Sequence, residues 1–104
     1  DHMIGYVSQL CHAIAAALMI AEDNTSLAEY TGDSFRDLTR IARLNDKMWA
    51  ELFLWNKENL INQIDQFDMA LQTIKKAMED DDREKLERLF QLSTKRRALF
   101  DKKQ

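Results

Sequence analysis

The stretch NDKMWAELFLWNKENLINQIDQFDMALQTIKKAME, residues 45–79, decides the fold. Asn45 with an acidic residue directly behind it reads as a helix N-cap whose first turn suits the helix dipole. No helix breaker follows until the acidic cluster Glu79 to Asp82, so the pattern predicts a single very long helix of about 34 residues. Within it Phe53, Leu60, Phe67 and Ile74 recur every seven residues, and Ile64, Leu71 and Met78 do the same on a neighbouring line four positions on. At a rise of 1.5 Å per residue such a rod is roughly 50 Å long. A compact chain of about 100 residues has a radius of gyration near ~13 Å, a sphere only about 34 Å across. The rod therefore overhangs its own domain, and its apolar stripe predicts a second copy covering the overhang in a two-fold, intertwined homodimer. A kinked helix inside a compact bundle is the alternative.

Outward from that stretch the rest of the chain is helical in pattern too. Met3, Val7, Leu10, Ile14, Leu18 and Ala21 step by three or four, which predicts a helix over 2–22. Its second half is apolar nearly all round and rich in alanine, so a central, buried position is expected. Residues 23–33 collect Asp, Asn, Thr, Ser and Gly and read as a connection, with one short turn capped by Ser26. Ser34 or Asp33 then caps a helix to about Leu44 on which Phe35, Leu38, Ile41 and Ala42 share a face. A last helix starts near Asp82 and is expected to bury Leu86, Leu89, Phe90 and Leu99 or Phe100. With 104 residues, 45% hydrophobic, two glycines and no proline, the chain reads as one all-α domain, a helical bundle, since sheets need turn residues at short intervals.

Composition also removes classes of function. Fifteen basic against eighteen acidic side chains leave a net charge of −3, which gives no electrostatic footprint for nucleic acid. The longest apolar run, residues 13–21, is far short of the ~20 residues that span a bilayer, so no membrane contact is expected. A single cysteine, Cys11, reads as a small core residue in a reducing, cytoplasmic setting. No metal site is expected either. His2 and His12 lie ten residues apart on one helix, so they point apart and cannot share an ion. Gly5 and Gly32 are far apart and neither belongs to a phosphate-binding loop, so the chain itself offers no dinucleotide site.

Three polar residues stand where the pattern asks for burial: Ser8, His12 and Arg40. Ser8 and His12 are four apart and lie one above the other beside the apolar stripe. They serve either to hydrogen-bond helix contacts together or to meet a ligand. Arg40, in RDLTRIAR, borders an apolar face, where a guanidinium is costly unless it meets a carboxylate. That acid is either Asp37, three residues earlier, or an anionic ligand. Trp49 and Trp55 read as core or interface aromatics, and the basic run at 95–97 as a solvated helix end.

Ser8-Gln9-Leu10-Cys11-His12, introduced by Asp1, resembles the opening of the helical domain of prephenate dehydrogenases. Phe35-Arg36-Asp37-Leu38-Thr39-Arg40-Ile41-Ala42, then Met48-Trp49, then Asn56-Lys57-Glu58-Asn59-Leu60, is similar to that family's run in order and spacing. The resemblance covers residues 1 to about 75. Gln9 and Cys11 stand where many members carry His and Pro, and no role is transferred to them. The resemblance implies oxidative decarboxylation of prephenate to 4-hydroxyphenylpyruvate on the route to tyrosine, with hydride passing to NAD; some relatives use NADP or arogenate. It places the nucleotide fingerprint and the catalytic histidine in an N-terminal Rossmann domain that this chain lacks. The helical domain, residues 1–104, is then inactive alone, holds no cofactor, forms the homodimer and caps the substrate pocket. By position Arg40 is expected to bind a substrate carboxylate and His12 to line the pocket beside Ser8, with Asp37 and Trp49 shaping the site. A helical, dimeric interaction module without ligand, in which Ser8, His12 and Arg40 only satisfy each other, is the alternative.

Overall fold

The computed structural model describes residues 9–21 and 33–101. Ser8, residues 23–32 of the connection expected at 23–33 with its turn at Ser26, and the caps expected from the side chains of Asp33 and Ser34 lie outside the described residues. Helix α1 spans Leu10–Ala21, α2 Asp33–Thr39, α3 Asp46–Trp55, α4 Lys57–Glu79 and α5 Arg83–Asp101, with a 3-10 turn at Arg40–Ala42 between α2 and α3. Among the described residues there is no strand, and no helix is long and apolar enough to cross a membrane.

The helix expected across 45–79 is two. Asn45 caps α3 as its sequence suggests, its Oδ1 accepting from the Met48 amide at 3.1 Å. At Asn56 the backbone leaves helical angles, with φ −110° and ψ 31°. The hydrogen-bond ladder nevertheless passes through it, the Asn56 N–H donating to the Leu52 carbonyl at 3.2 Å and the Leu60 N–H to the Asn56 carbonyl at 2.9 Å. A short polar side chain that bonds locally favours such a departure, and Asn59 Nδ2 donates to Asn56 Oδ1 at 3.2 Å. The helix expected to run to Leu44 also changes winding early. The Thr39 hydroxyl donates back to the Phe35 carbonyl at 2.8 Å, a bond that competes with the helical ladder, and residues 40–42 tighten into the 3-10 turn.

The chain divides into two compact units at Asp65 and Gln66. In the first, α1 packs on α2 and on the 3-10 turn, and Leu10, Ala15 and Leu60 are buried. The buried-centre expectation for α1 holds only on that side: Ile20 is 80% exposed and Cys11, expected in the core, is exposed as well. A helix apolar all round presents more apolar surface than one set of neighbours covers.

In the second unit α4 ends and α5 begins in one tight turn. The Asp82 N–H donates to the Ala77 carbonyl at 2.9 Å and the Asp81 N–H to the Met78 carbonyl at 3.1 Å, with Asp81 in the left-handed region at φ 52°. This pair of bonds around a left-handed residue closes a helix C-terminus. Asp82 at once caps α5, its Oδ1 accepting from the Lys85 amide at 3.0 Å, so the acidic cluster does end one helix and start the next. Ala77 is the buried apolar residue here; Phe90, Leu99 and Phe100, expected to be buried, are exposed in the single chain. An open groove of about 710 Å³ lies at the turn, lined by Met78, Leu86 and Phe90 with Asp81, Arg83 and Glu87.

Candidate functional site

Within the first unit His12, one of the residues singled out by their polarity, belongs to an aromatic stack. His12, on the first turn of α1, lies face to face with Trp49 of α3, ring centroids 4.1 Å apart and planes 21° from parallel. Phe53, one turn further along α3, meets Trp49 edge-on at 6.1 Å and 88°. Offset stacks and edge contacts of this kind suit the charge distribution of aromatic rings. All three rings are half-buried.

Arg40 opens the 3-10 turn that packs on α1, the helix carrying His12. Its side chain is exposed, as is that of Asp37 on α2. Among the described residues no ion pair joins the two. Of the five expected site residues, His12 and Trp49 are in contact, Arg40 is on a turn packed against the same helix, Asp37 lies on the preceding helix, and Ser8 lies outside the described residues.

Two amides that sequence reasoning passed over are buried in the same unit. Gln9 is only 7% exposed, and its Oε1 accepts from Asn56 Nδ2 at 3.1 Å, joining α1 to the junction of α3 and α4. Gln63, one more step along α4, is 1% exposed. Trp49, Phe53, Asn56, Leu60 and Gln63 step by four and three, so the amides occupy one inward line with the apolar residues. That spacing was the available signal; a reading that counts only hydrophobic residues skips it.

The first unit thus defines a helical domain with a polar, aromatic cluster, and the second two helices joined by a tight turn, with Phe67, Leu71, Met78 and Phe90 exposed. The family model described as prephenate dehydrogenase, dimerization domain matches residues 1–92, and the chain belongs to that family. It is 31% identical over 106 residues to a cyclohexadienyl dehydrogenase of Zymomonas mobilis, covering 96% of this chain and 36% of that protein. Among solved structures it is similar to prephenate dehydrogenase from A. aeolicus in complex with hydroxyphenyl propionate and NAD+, with a TM-score of 0.78 and 34% identity over 95% of this chain and 37% of that one. Synechocystis arogenate dehydrogenase shares the fold at a TM-score of 0.85 and 20% identity, over 96% of this chain and 38% of that one. The chain spans between 26% and 36% of the length of the curated relatives it matches.

Proposed function

We propose that this chain is the dimer-forming and substrate-capping domain of a cytoplasmic, NAD-dependent prephenate dehydrogenase of tyrosine biosynthesis. The observation that carries the reading is the His12–Trp49 stack beside the turn that bears Arg40. It agrees with the family membership and with the aromatic carboxylate, hydroxyphenyl propionate, held by the A. aeolicus relative. Prephenate is a dianion carrying a cyclohexadienol ring. A planar guanidinium pairs with a carboxylate through two parallel hydrogen bonds, which an ammonium cannot reproduce. Arg40 takes that role, His12 lines the ring's side of the pocket with Ser8 one turn earlier, Trp49 holds the imidazole plane, and Asp37 orients the guanidinium.

Exposure of Arg40 in the single chain suits this reading, because an unpaired guanidinium buried before its anion arrives would be strongly destabilising. The residues present do not fit NAD: two glycines, Gly5 and Gly32, make no phosphate-cradling loop. The nucleotide and the hydride chemistry belong to the parent enzyme outside this sequence, and this chain alone is inactive. The apolar line Ile64, Phe67, Leu71 and Met78 on α4, spaced three, four and seven and exposed, suits burial against a second copy.

The test is steady-state kinetics of Arg40→Ala in the intact parent enzyme. Binding of prephenate is expected to weaken by roughly 2 to 5 kcal/mol, the range for removing one partner of a buried charge pair, with the KM for NAD unchanged. Equal losses for both substrates indicate unfolding and remove the assignment. Unchanged prephenate kinetics leave a helical interaction module without a ligand.

A further inference from the structure

We infer that the Gln9–Asn56 hydrogen bond is a positioning device that sets the register of α1 against α3 and so keeps the His12 imidazole flat on Trp49. The inference rests on the substrate-site reading for its functional consequence, though not for its geometry. Gln9 and His12 are three residues apart on one face of α1; Trp49 and Asn56 are seven apart, two turns, on one face of α3 and its end. The two helices are therefore tied at two heights, by rings 4.1 Å apart and by an amide pair at 3.1 Å.

The two ties differ in kind. A face-to-face stack tolerates sliding, because overlapping rings lose little when one shifts parallel to the other. A hydrogen bond fails steeply with misalignment, and it is strongest away from water. Gln9 is buried, so releasing its carbonyl oxygen from Asn56 would leave a desolvated acceptor. The bond therefore holds the register that the stack cannot hold by itself. Its placement at Asn56 also accounts for the interruption between α3 and α4, since the side chain that departs from the helix is the one that reaches α1. Asn59 completes the arrangement by donating to Asn56 Oδ1, which leaves Asn56 Nδ2 facing Gln9.

The test uses nuclear magnetic resonance of the full 104-residue chain and kinetics of the intact parent enzyme. The Trp49 ring current moves the His12 ring protons upfield. Gln9→Met with Asn56→Leu replaces both amides by apolar groups of similar shape, a change that is close to neutral for stability when both partners go together. We expect the upfield shift to collapse in this double variant and to return in the exchanged pair Gln9→Asn with Asn56→Gln, which spans the same gap. In the intact enzyme the double variant is expected to raise the KM for prephenate roughly 10-fold with kcat changed far less, the pattern for a misplaced binding group. A retained shift in the double variant, or no recovery in the exchanged pair, overturns the positioning role. A lost shift with unchanged KM keeps that role and instead defeats the reading of His12 as a substrate-pocket residue.

Discussion

The two units bury different things along helices α3 and α4. In the first, the inward line is Trp49, Phe53, Asn56, Leu60 and Gln63, and two of its five members are amides. In the second, the apolar line through Phe67, Leu71 and Met78 is exposed, Met78 to 61%, and among the described residues only the small side chain of Ala77 is buried. A core that includes amides needs every one satisfied, which fixes a unique arrangement around the stack. A helix with an uncovered heptad stripe gains little from its own unit and stands to gain from a partner.

The largest expected effect comes from breaking the second half of that contrast. Leu71→Asp places a carboxylate in the apolar stripe, and burying an unpaired charge costs several kcal/mol. Sedimentation equilibrium should show self-association weakened at least about 100-fold, while Gln72→Asp, one position away on another face, leaves it unchanged. A Leu71→Asp chain that still dimerises normally would place the interface elsewhere.

The next effect sharpens the contrast using the two tryptophans. Trp49 is half-buried between His12 and Phe53, whereas Trp55 is 86% exposed. In the Leu71→Asp background, Trp49→Ala is expected to lower unfolding stability by about 2 kcal/mol, less than for a fully buried ring. Trp55→Ala should stay within about 0.5 kcal/mol. Urea denaturation reads both, and equal losses would mean that the stack contributes nothing beyond ordinary surface contact.

Much of this was legible in the sequence, and the gaps have physical causes. Helical content, the cap at Asn45 and the helix boundary in the acidic cluster follow from local chemistry, and so were readable. The resemblance carried by Phe35 to Ala42 and by Met48-Trp49 led to the family. Asn56 was not readable as an interruption, because asparagine in a helix is only mildly unfavourable and its partner Gln9 is 47 positions away. Gln63 was missed for the same reason: its burial depends on packing. The burial expected for Phe90, Leu99 and Phe100 assumed that one chain covers its own apolar residues, and in the single chain all three are exposed.

Smaller effects belong to the turn between α4 and α5. Asp82→Ala removes the side-chain cap on the Lys85 amide and should cost about 1 kcal/mol. Asp81 holds φ 52°, a conformation that glycine adopts without steric cost, so Asp81→Gly is expected to stabilise the chain by roughly 0.5 to 1 kcal/mol. Thermal unfolding distinguishes the two by sign. A destabilising Asp81→Gly would show that the aspartate side chain does something there that outweighs its backbone.

The smallest effect is expected at the end of α5, and direction explains why. Arg97 Nη1 lies 2.9 Å from Asp101 Oδ1 and its guanidinium sits 5.9 Å from the centre of the Phe100 ring, all three side chains being exposed. The acid follows the base by four residues, as Asp80 follows Lys76 at 3.3 Å, so each carboxylate lies toward the negative end of its helix dipole. Attraction within the pair and repulsion from the dipole therefore oppose one another. In the Leu71→Asp background Arg97→Ala should change stability by less than about 0.5 kcal/mol, and salt should barely alter that, since exposed pairs are already weak and screened. In the associating chain the same substitution separates two cases. An equally small change leaves Phe100 and the end of α5 in solvent; a distinctly larger one extends the assembly face from α4 onto α5, because covering the Phe100 ring would shield the guanidinium above it from water and strengthen their attraction.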